Sequence, residues 1–159
     1  MKLTCCVGAT NYWQDWFCTD LAENPANNIW ALDITKPFPF EDNIFSYIFI
    51  EHGMEHIDFE GLLTCFSECY RILKKGGVFR FTSPTLDNWI KFYLTDNELT
   101  RWMTVVTAQL WIKKAAELGV YSKALAFNNA MRNFGHQLLL DFATYNTLLP
   151  ETRRESPLL

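Results

Sequence analysis

Short apolar runs dominate the first half of the chain, and longer amphipathic stretches dominate the second half. The apolar runs lie at residues 2–7, 16–19, 28–32, 45–50 and 78–82, and their lengths are typical of β-strands. The run FSYIFI at 45–50 is apolar at nearly every position. Such a run indicates a central parallel strand that is covered on both faces. The first half is therefore predicted to supply a sheet.

The spacing of apolar residues changes after Asp58, which can cap a helix over residues 59–73. Six apolar residues then fall on one face of this helix: Phe59, Leu62, Leu63, Phe66, Tyr70 and Leu73. Two lysines at 74–75 suit the negative C-terminal end of the helix. The glycine pair at 76–77 is expected to stop it.

Helical patterns also occupy residues 96–118, 122–133 and 141–149. A strand-rich half followed by a helical half predicts an α/β fold, with a doubly wound, mostly parallel sheet and extra helices after strand five. The Trp-rich stretch WMTVVTAQLW at 102–111 is predicted to pack in the core. A lid over a binding site is the alternative for this stretch.

Three of the predicted strands are followed by an acidic residue: Asp20, Asp33 and Glu51. In an open parallel sheet, ligands bind at the carboxyl ends of the strands. Carboxylates at that edge can accept hydrogen bonds from hydroxyl or amino groups. This pattern predicts a binding site for a small molecule.

Charge and composition narrow the choice of partner. The chain has 159 residues, a formal net charge of −4, and no basic cluster longer than a pair, which argues against nucleic acid. No apolar run is long enough to span a bilayer, and no signal peptide is recognisable. The five cysteines form no CxxC pair and are predicted to be free thiols of a cytoplasmic protein.

Two segments resemble a known family: ALDITKPFPFEDNIFSYIFIEHGMEHI and ECYRILKKGGVFRFTSPTL. The chain looks like a small, type-11-like class I S-adenosylmethionine-dependent methyltransferase over roughly residues 2–92. The resemblance implies a Rossmann-like sheet and methyl transfer from S-adenosylmethionine to a small-molecule acceptor. It implies one domain over 1–159, with a cofactor-binding core at 1–83 and a helical part at 84–159.

The resemblance also implies where the cofactor would lie. Asp20, after strand two, would accept hydrogen bonds from the two ribose hydroxyls. Asp33 would lie beside the adenine edge together with the backbone of Ile34. Gly8 would let the chain pass close under the methionine part, where a Cβ would intrude.

The remaining site residues follow from the same resemblance. Cys6 and Val7 precede Gly8 in the triplet that corresponds to the family's first motif. Glu51 and His52, at the end of strand four, would lie beside the sulfonium. His56 is a candidate proton acceptor for a hydroxyl or amine substrate.

The sequence departs from the family pattern at three places. Cys6 stands where the family usually has the first glycine of Gly-x-Gly, and Ser46 stands where strand four usually has an aspartate. The family normally ends with two more strands, so a sheet truncated at its C-terminus, with about five strands, is expected. An edge left bare in this way favours a homo-oligomer. The same departures leave open a non-catalytic binding or interaction module of methyltransferase fold.

The stretch EHGMEH at 51–56 also matches the HxxEH pattern of zinc hydrolases. Two His at i and i+4 share a helix face and could bind zinc, and Cys65 and Cys69 could join them. A strand-to-helix corner, with Glu55 and His56 at the start of the next helix, explains the stretch better, and no metal is predicted. The third histidine, His136, is expected to be a packed or capping residue.

Overall fold

The computed structural model describes residues 1–8 and 13–155. Five strands form one sheet: β1 (Lys2–Cys5), β2 (Phe17–Asp20), β3 (Ile29–Ala31), β4 (Phe45–Glu51) and β5 (Leu73–Thr82). Every pairing is parallel, in the order β3-β2-β1-β4-β5. The predicted α/β class is confirmed, and the strand order reverses between β1 and β4 as in a Rossmann-like sheet.

Six α-helices are present in the described part of the chain: α1 (Phe59–Ile72), α2 (Leu86–Leu94), α3 (Glu98–Trp111), α4 (Lys113–Glu117), α5 (Lys123–Arg132) and α6 (Phe142–Glu155). Two 3-10 turns lie at Pro25–Asn27 and Met54–His56. The helix predicted over 96–118 is two helices that meet at Ile112. Helix α2, which begins after the N-cap Thr85, was not predicted from the sequence pattern. None of the described helices is both long and apolar enough to span a membrane.

The main core lies on one face of the sheet. Alternate residues of β1, β4 and β5 point into it, and helices α1 and α6 cover it. Phe66 of α1 and Tyr145 of α6 both contact Phe81 of β5 through their rings. On the opposite face, Trp13 stacks on Phe49 with ring centroids 5.3 Å apart. Period-two alternation therefore divides each strand between a helix-covered face and an aromatic face.

Helix α1 follows the sequence prediction at its start and differs at its end. The Asp58 side chain accepts a hydrogen bond from the Gly61 amide at 2.8 Å and caps the helix. The helix ends at Ile72, however, and the glycine pair does not stop it. Leu73 already pairs with β4, because α1 leads directly into the sheet.

The segment 74–77 forms a bulge within β5. Phe45 pairs with Leu73 and Tyr47 pairs with Val78, so four residues of β5 are inserted opposite one residue of β4. Gly76 has φ +78° within this bulge, a conformation that glycine adopts without strain. The two lysines and two glycines therefore form a bulge in the strand. The same local sequence would also suit a helix C-cap, so the sequence alone does not distinguish the two structures.

The prediction that residues 102–111 pack in the core is wrong. Trp102 is 61% exposed and Trp111 is 54% exposed. The buried face of α3 consists of small residues instead: Thr100, Thr104 and Ala108. Helix α3 packs against α4 and α5 rather than against the sheet, so its aromatic face points outward.

Candidate functional site

A cavity of about 750 Å³ opens at the carboxyl ends of the strands. It is lined by the residues that follow β1, β2, β3 and β4, and by the first turn of α1. Four carboxylates (Asp20, Asp33, Asp58, Glu60) face one lysine, Lys36, and two histidines. The wall is therefore acidic and suits a ligand that carries positive charge or hydrogen-bond donors.

Asp20 holds the turn after β1. Its Oδ2 accepts a hydrogen bond from the Gly8 amide at 2.7 Å, and its Oδ1 accepts one from the Leu21 amide at 2.7 Å. Gly8 has φ +70°, which the turn requires and which glycine adopts freely. A carboxylate can accept about four hydrogen bonds, so Asp20 keeps capacity for donors within the cavity.

Cys6 occupies a strained position at the base of the cavity. Its φ is +60°, in the left-handed region that costs a non-glycine residue about 1–3 kcal/mol. Burial, together with the nearby Asp20 carboxylate, raises the pKa of the Cys6 thiol to about 12. The thiol is therefore protonated at neutral pH and is a poor nucleophile.

Gly53 provides the space that the Cys6 side chain fills. A Cβ added at Gly53 would lie 2.7 Å from the Cys6 Sγ and 2.8 Å from the Ile50 Cγ2. Both distances are below any ordinary contact, so a larger residue at this position would force the side chains of Cys6 and Ile50 to shift. The cysteine in the first motif and the glycine of EHGMEH are thus packed as a pair.

Asp33 is held in place by Thr35. Its Oδ1 accepts hydrogen bonds from the Thr35 amide at 2.9 Å and from the Thr35 hydroxyl at 2.6 Å. These two bonds lower the pKa of Asp33 below its ordinary value, so the carboxylate is ionised at neutral pH. The next residue, Ile34, is buried and also lines the cavity.

The corner after β4 is organised around a buried carboxylate. Glu55 is 1% exposed. Its Oε1 lies 3.0 Å from the His52 Nδ1, and its Oε2 accepts a hydrogen bond from the Ser83 hydroxyl at 3.0 Å. The expectation that Glu55 and His56 begin α1 is wrong, because they form a separate 3-10 turn and α1 starts at Phe59.

The cavity brings together six of the residues predicted to bind a cofactor: Cys6, Gly8, Asp20, Asp33, Ile34 and His52. The candidate proton acceptor His56 also lines it. Two predicted residues lie elsewhere. Val7 is buried against Cys18 and Ile29 on the aromatic face, and the exposed Glu51 does not line the cavity.

Sequence reasoning missed several residues of the cavity wall, notably Gly53, Thr35 and Gln137. Gly53 lay within the stretch EHGMEH and carried a signal, since a glycine after a strand often permits close approach. Thr35 carried a signal in its spacing, because an aspartate side chain often accepts a hydrogen bond from the backbone amide two residues later. Gln137 is distant in sequence, and only the fold brings it to the site.

Comparisons with known proteins agree with this geometry. Residues 9–81 match a family model described as "Methyltransferase domain". The sequence has no significant match among curated proteins. The chain is similar in structure to BH2331 from Bacillus halodurans, which is described as a proposed methyltransferase. The two chains are 16% identical, with a TM-score of 0.54, and the match covers 95% of this chain and 58% of that one.

Two further structures share the fold. The YcgJ protein from Bacillus subtilis is 13% identical, with a TM-score of 0.56 and coverage of 95% of this chain and 60% of that one. PKMT2 from Rickettsia typhi, solved in complex with AdoHcy, is 12% identical, with a TM-score of 0.54, and the match covers 95% of this chain and 38% of that one. The chain thus spans about three fifths of the length of the two Bacillus proteins.

The parallel sheet, the cavity at its carboxyl edge and the strand order define a class I methyltransferase fold. Residues 9–81 of the chain match this methyltransferase domain, and the chain shares its fold with the two Bacillus proteins. The resemblance read from the sequence is thereby confirmed.

Proposed function

We propose that this protein binds S-adenosylmethionine in the cavity and transfers its methyl group to a small-molecule acceptor. The observation that carries the proposal is the convergence of Asp20 and Asp33 on one cavity at the carboxyl edge of the sheet. The family match over residues 9–81 supports the same function. AdoHcy, the product of such a transfer, is bound by the Rickettsia typhi protein that shares the fold.

The chemistry of the cavity wall fits this cofactor. S-adenosylmethionine offers two ribose hydroxyls and an adenine amino group as donors, and it carries a net positive charge at neutral pH. Asp20 and Asp33 supply acceptors that are already oriented by backbone amides. A volume of about 750 Å³ lies within the range of about 300–1,000 Å³ that is usual for such ligands.

Each wall residue would have a separate role. Asp20 would accept the ribose hydroxyls, and Asp33, with the Ile34 backbone, would bind the adenine edge. The turn at Gly8, whose amide is held by Asp20, would pass under the methionine part. Cys6 and His52 would lie at the sulfonium end, on either side of Gly53.

When bound, S-adenosylmethionine supplies an electrophilic methyl group on a sulfonium. The protein's contribution is then mainly alignment and exclusion of water. His56 is half-buried and lines the same cavity. It would accept the proton of a hydroxyl or amine acceptor.

Calorimetry with S-adenosylmethionine and with S-adenosylhomocysteine tests cofactor binding. We expect the wild type to bind one equivalent. Asp20→Ala should weaken binding by about 1–3 kcal/mol, the usual cost of lost hydrogen bonds to a charged group. Glu51→Gln is the matched control, because Glu51 also ends a strand but lies outside the cavity; it should bind as the wild type does.

Absence of wild-type binding at millimolar ligand would overturn the proposal. Transfer itself is measured with a methyl-labelled cofactor and the small-molecule fraction of a cell extract. Label in a small molecule is the expected result. Binding without any labelled product would instead indicate a non-catalytic binding module.

We also propose a cellular compartment and a class of partner for the protein. We place it in the cytoplasm, because its five cysteines are free thiols and disulfides are rare in that compartment. A small molecule is the proposed substrate, and neither nucleic acid nor a membrane is a proposed partner. The acidic cavity and the net charge of −4 support this choice.

A further inference from the structure

Beside the cavity, the neighbouring side chains of Glu55 and His56 meet that of His136, which comes from a distant part of the chain. We call them the His-Glu cluster. One ligand atom from each lies within 4.8 Å of the others. The imidazole rings of His56 and His136 pack edge to face, with centroids 4.8 Å apart. Helix α5 ends at Arg132, and the chain that follows it carries His136 back to the 3-10 turn after β4.

We propose that the His-Glu cluster is a binding site for one divalent transition-metal ion, with Zn²⁺ as the best fit. Two imidazoles and one carboxylate are ligands that zinc prefers, whereas Mg²⁺ and Ca²⁺ favour oxygen ligands. Bonds of about 2.0–2.2 Å in tetrahedral geometry bring ligand atoms to about 3.3 Å from one another. The cluster reaches that spacing by small side-chain rotations from 4.8 Å.

His136 has the tautomer that a metal ligand bound through Nε2 requires. Its Nδ1 lies 2.6 Å from the Ala130 carbonyl oxygen. A carbonyl only accepts, so Nδ1 carries the proton and the lone pair of the neutral ring is on Nε2. A backbone carbonyl that fixes the tautomer in this way is the usual outer partner of a metal-binding histidine.

Glu55 gives a second and independent reason to expect a cation. It is 1% exposed, and its one ion pair among the described residues is with His52, a neutral partner unless protonated. Buried carboxylates are normally paired with a full charge or bound to a metal. A divalent ion between Glu55 and the two imidazoles would provide that charge.

The ion would fasten one wall of the cavity. The Glu55 carbonyl already accepts hydrogen bonds from the amides of Gln137 and Leu138, at 2.7 and 3.2 Å, and the His56 carbonyl accepts one from the Gln137 side chain. Metal binding at the same place would join the 136–138 segment to the corner after β4 more firmly. The expected effects are a higher Tm and slower amide exchange at Gln137 and Leu138.

This set differs from the HxxEH pattern in the sequence, which would use His52 in place of His136. His52 is 66% exposed and makes its contact with Glu55 rather than with the cluster histidines. Cys65 and Cys69 are fully buried in the core. Substitution of His52 therefore separates the proposed set from the sequence pattern.

Chelator-treated protein, titrated with Zn²⁺ and then with Co²⁺ as a spectroscopic probe, tests the site without any methyl donor. We expect one equivalent to bind, with the visible absorption of four-coordinate Co²⁺ and no thiolate charge-transfer band. In His56→Asn and His136→Asn, the asparagine amide replaces Nδ1, and the ligand atom Nε2 is lost. Each substitution should weaken metal binding by more than about 10-fold. His52→Asn is the control and should bind as the wild type does.

Circular dichroism and the metal-free Tm establish that each variant is folded. The wild type gives an answer on its own, because the chain has only three histidines. The ring resonances of His56 and His136 should shift on Zn²⁺ binding by more than those of His52, which contacts the ion only through Glu55. No saturable binding at one equivalent, a thiolate band, or loss of binding in His52→Asn with retention in His136→Asn would overturn the proposal. Because no methyl donor is present, the assay does not depend on the proposed methyl transfer. A metal ion on His56 would occupy the lone pair that would otherwise accept a proton, so His56 serves only one of the two proposed roles at a time.

Discussion

At the scale of single residues, the structure shows how the turn after β1 accommodates a cysteine in a left-handed conformation. Cys6 keeps the positive φ that the turn demands, and its side chain fills the space left by Gly53. The strain of the backbone at Cys6 is thus offset in part by packing of the thiol, which is half-buried. The two positions should therefore behave as a coupled pair.

A double-mutant cycle on Cys6 and Gly53 tests this coupling. Gly53→Ala should destabilise the protein by about 1–3 kcal/mol, because its Cβ would meet the Cys6 Sγ at 2.7 Å. In the Cys6→Gly background the cost should be smaller, although the contact with Ile50 remains. Urea unfolding of the four proteins measures the coupling; additive costs would show that the pair is independent.

At the scale of elements, helix α1 connects the site to the loop before β4. Its first turn lines the cavity, and its last turn carries Arg71. The Arg71 guanidinium donates to the carbonyls of Phe38 and Phe40 and pairs with Glu68 and Asp42. The proline-containing loop, which lacks regular structure, is thus held by the helix that follows it.

Glu68 is the residue that makes this connection dependent on pH. The Arg71 hydrogen bond lowers the pKa of Glu68 below its ordinary value. A lowered folded-state pKa contributes stability above the unfolded pKa of about 4.3, and this contribution is lost as pH falls through the folded pKa. We expect Glu68→Gln to destabilise the protein by about 1–2 kcal/mol at pH 7, with the difference vanishing in acid.

The matched control is Glu117→Gln. Glu117 pairs with Lys114 at the same i, i+3 spacing, but both side chains are more than 60% exposed. Its substitution should cost less than about 0.5 kcal/mol at any pH. Thermal unfolding of both variants between pH 3 and pH 7 measures the difference, and equal effects would mean that the Arg71 network adds no stability.

At the scale of the whole molecule, β5 is one of the two edge strands of the sheet in the described part of the chain, and it is the longer one. Its apolar residues Phe79 and Phe81 pack against the core, while Val78 is 48% exposed. The exposed aromatic face of α3 lies elsewhere on the same chain. A bare edge strand offers unpaired backbone groups to another chain, so we propose a homo-oligomer that pairs through β5.

Light scattering across a concentration series measures the assembly. We expect a mass above 18.6 kDa that rises with concentration. Val78→Lys should shift the mass toward that of the monomer, because a lysine on an edge strand opposes pairing. Leu110→Lys on the exposed face of α3 is the control for interaction through the helices. A constant 18.6 kDa species for the wild type would exclude the oligomer.

The sequence by itself determined the sheet, its parallel strands and the edge at which the cavity opens. Apolar runs of strand length and acids at their ends are local signals, since burial on both faces requires an apolar side chain at nearly every position. Asp58 as a helix cap was equally local, because capping depends on residues three positions apart. The acids at strand ends placed Asp20 and Asp33 on the cavity wall correctly, whereas Glu51, chosen by the same pattern, lies outside the cavity. His52 was assigned through the family resemblance.

Only the tertiary structure decided which residues far apart in sequence meet. The bulge at 74–77 depends on the register between β4 and β5, and the outward face of α3 depends on the helices against which it packs. Cys6 contacts the space at Gly53, and His136 contacts His56, because the fold brings distant segments together. No local sequence pattern predicts these contacts. The physical reason is that side-chain burial and proximity are set by packing between elements, whereas the pattern within an element fixes only its type and its apolar face.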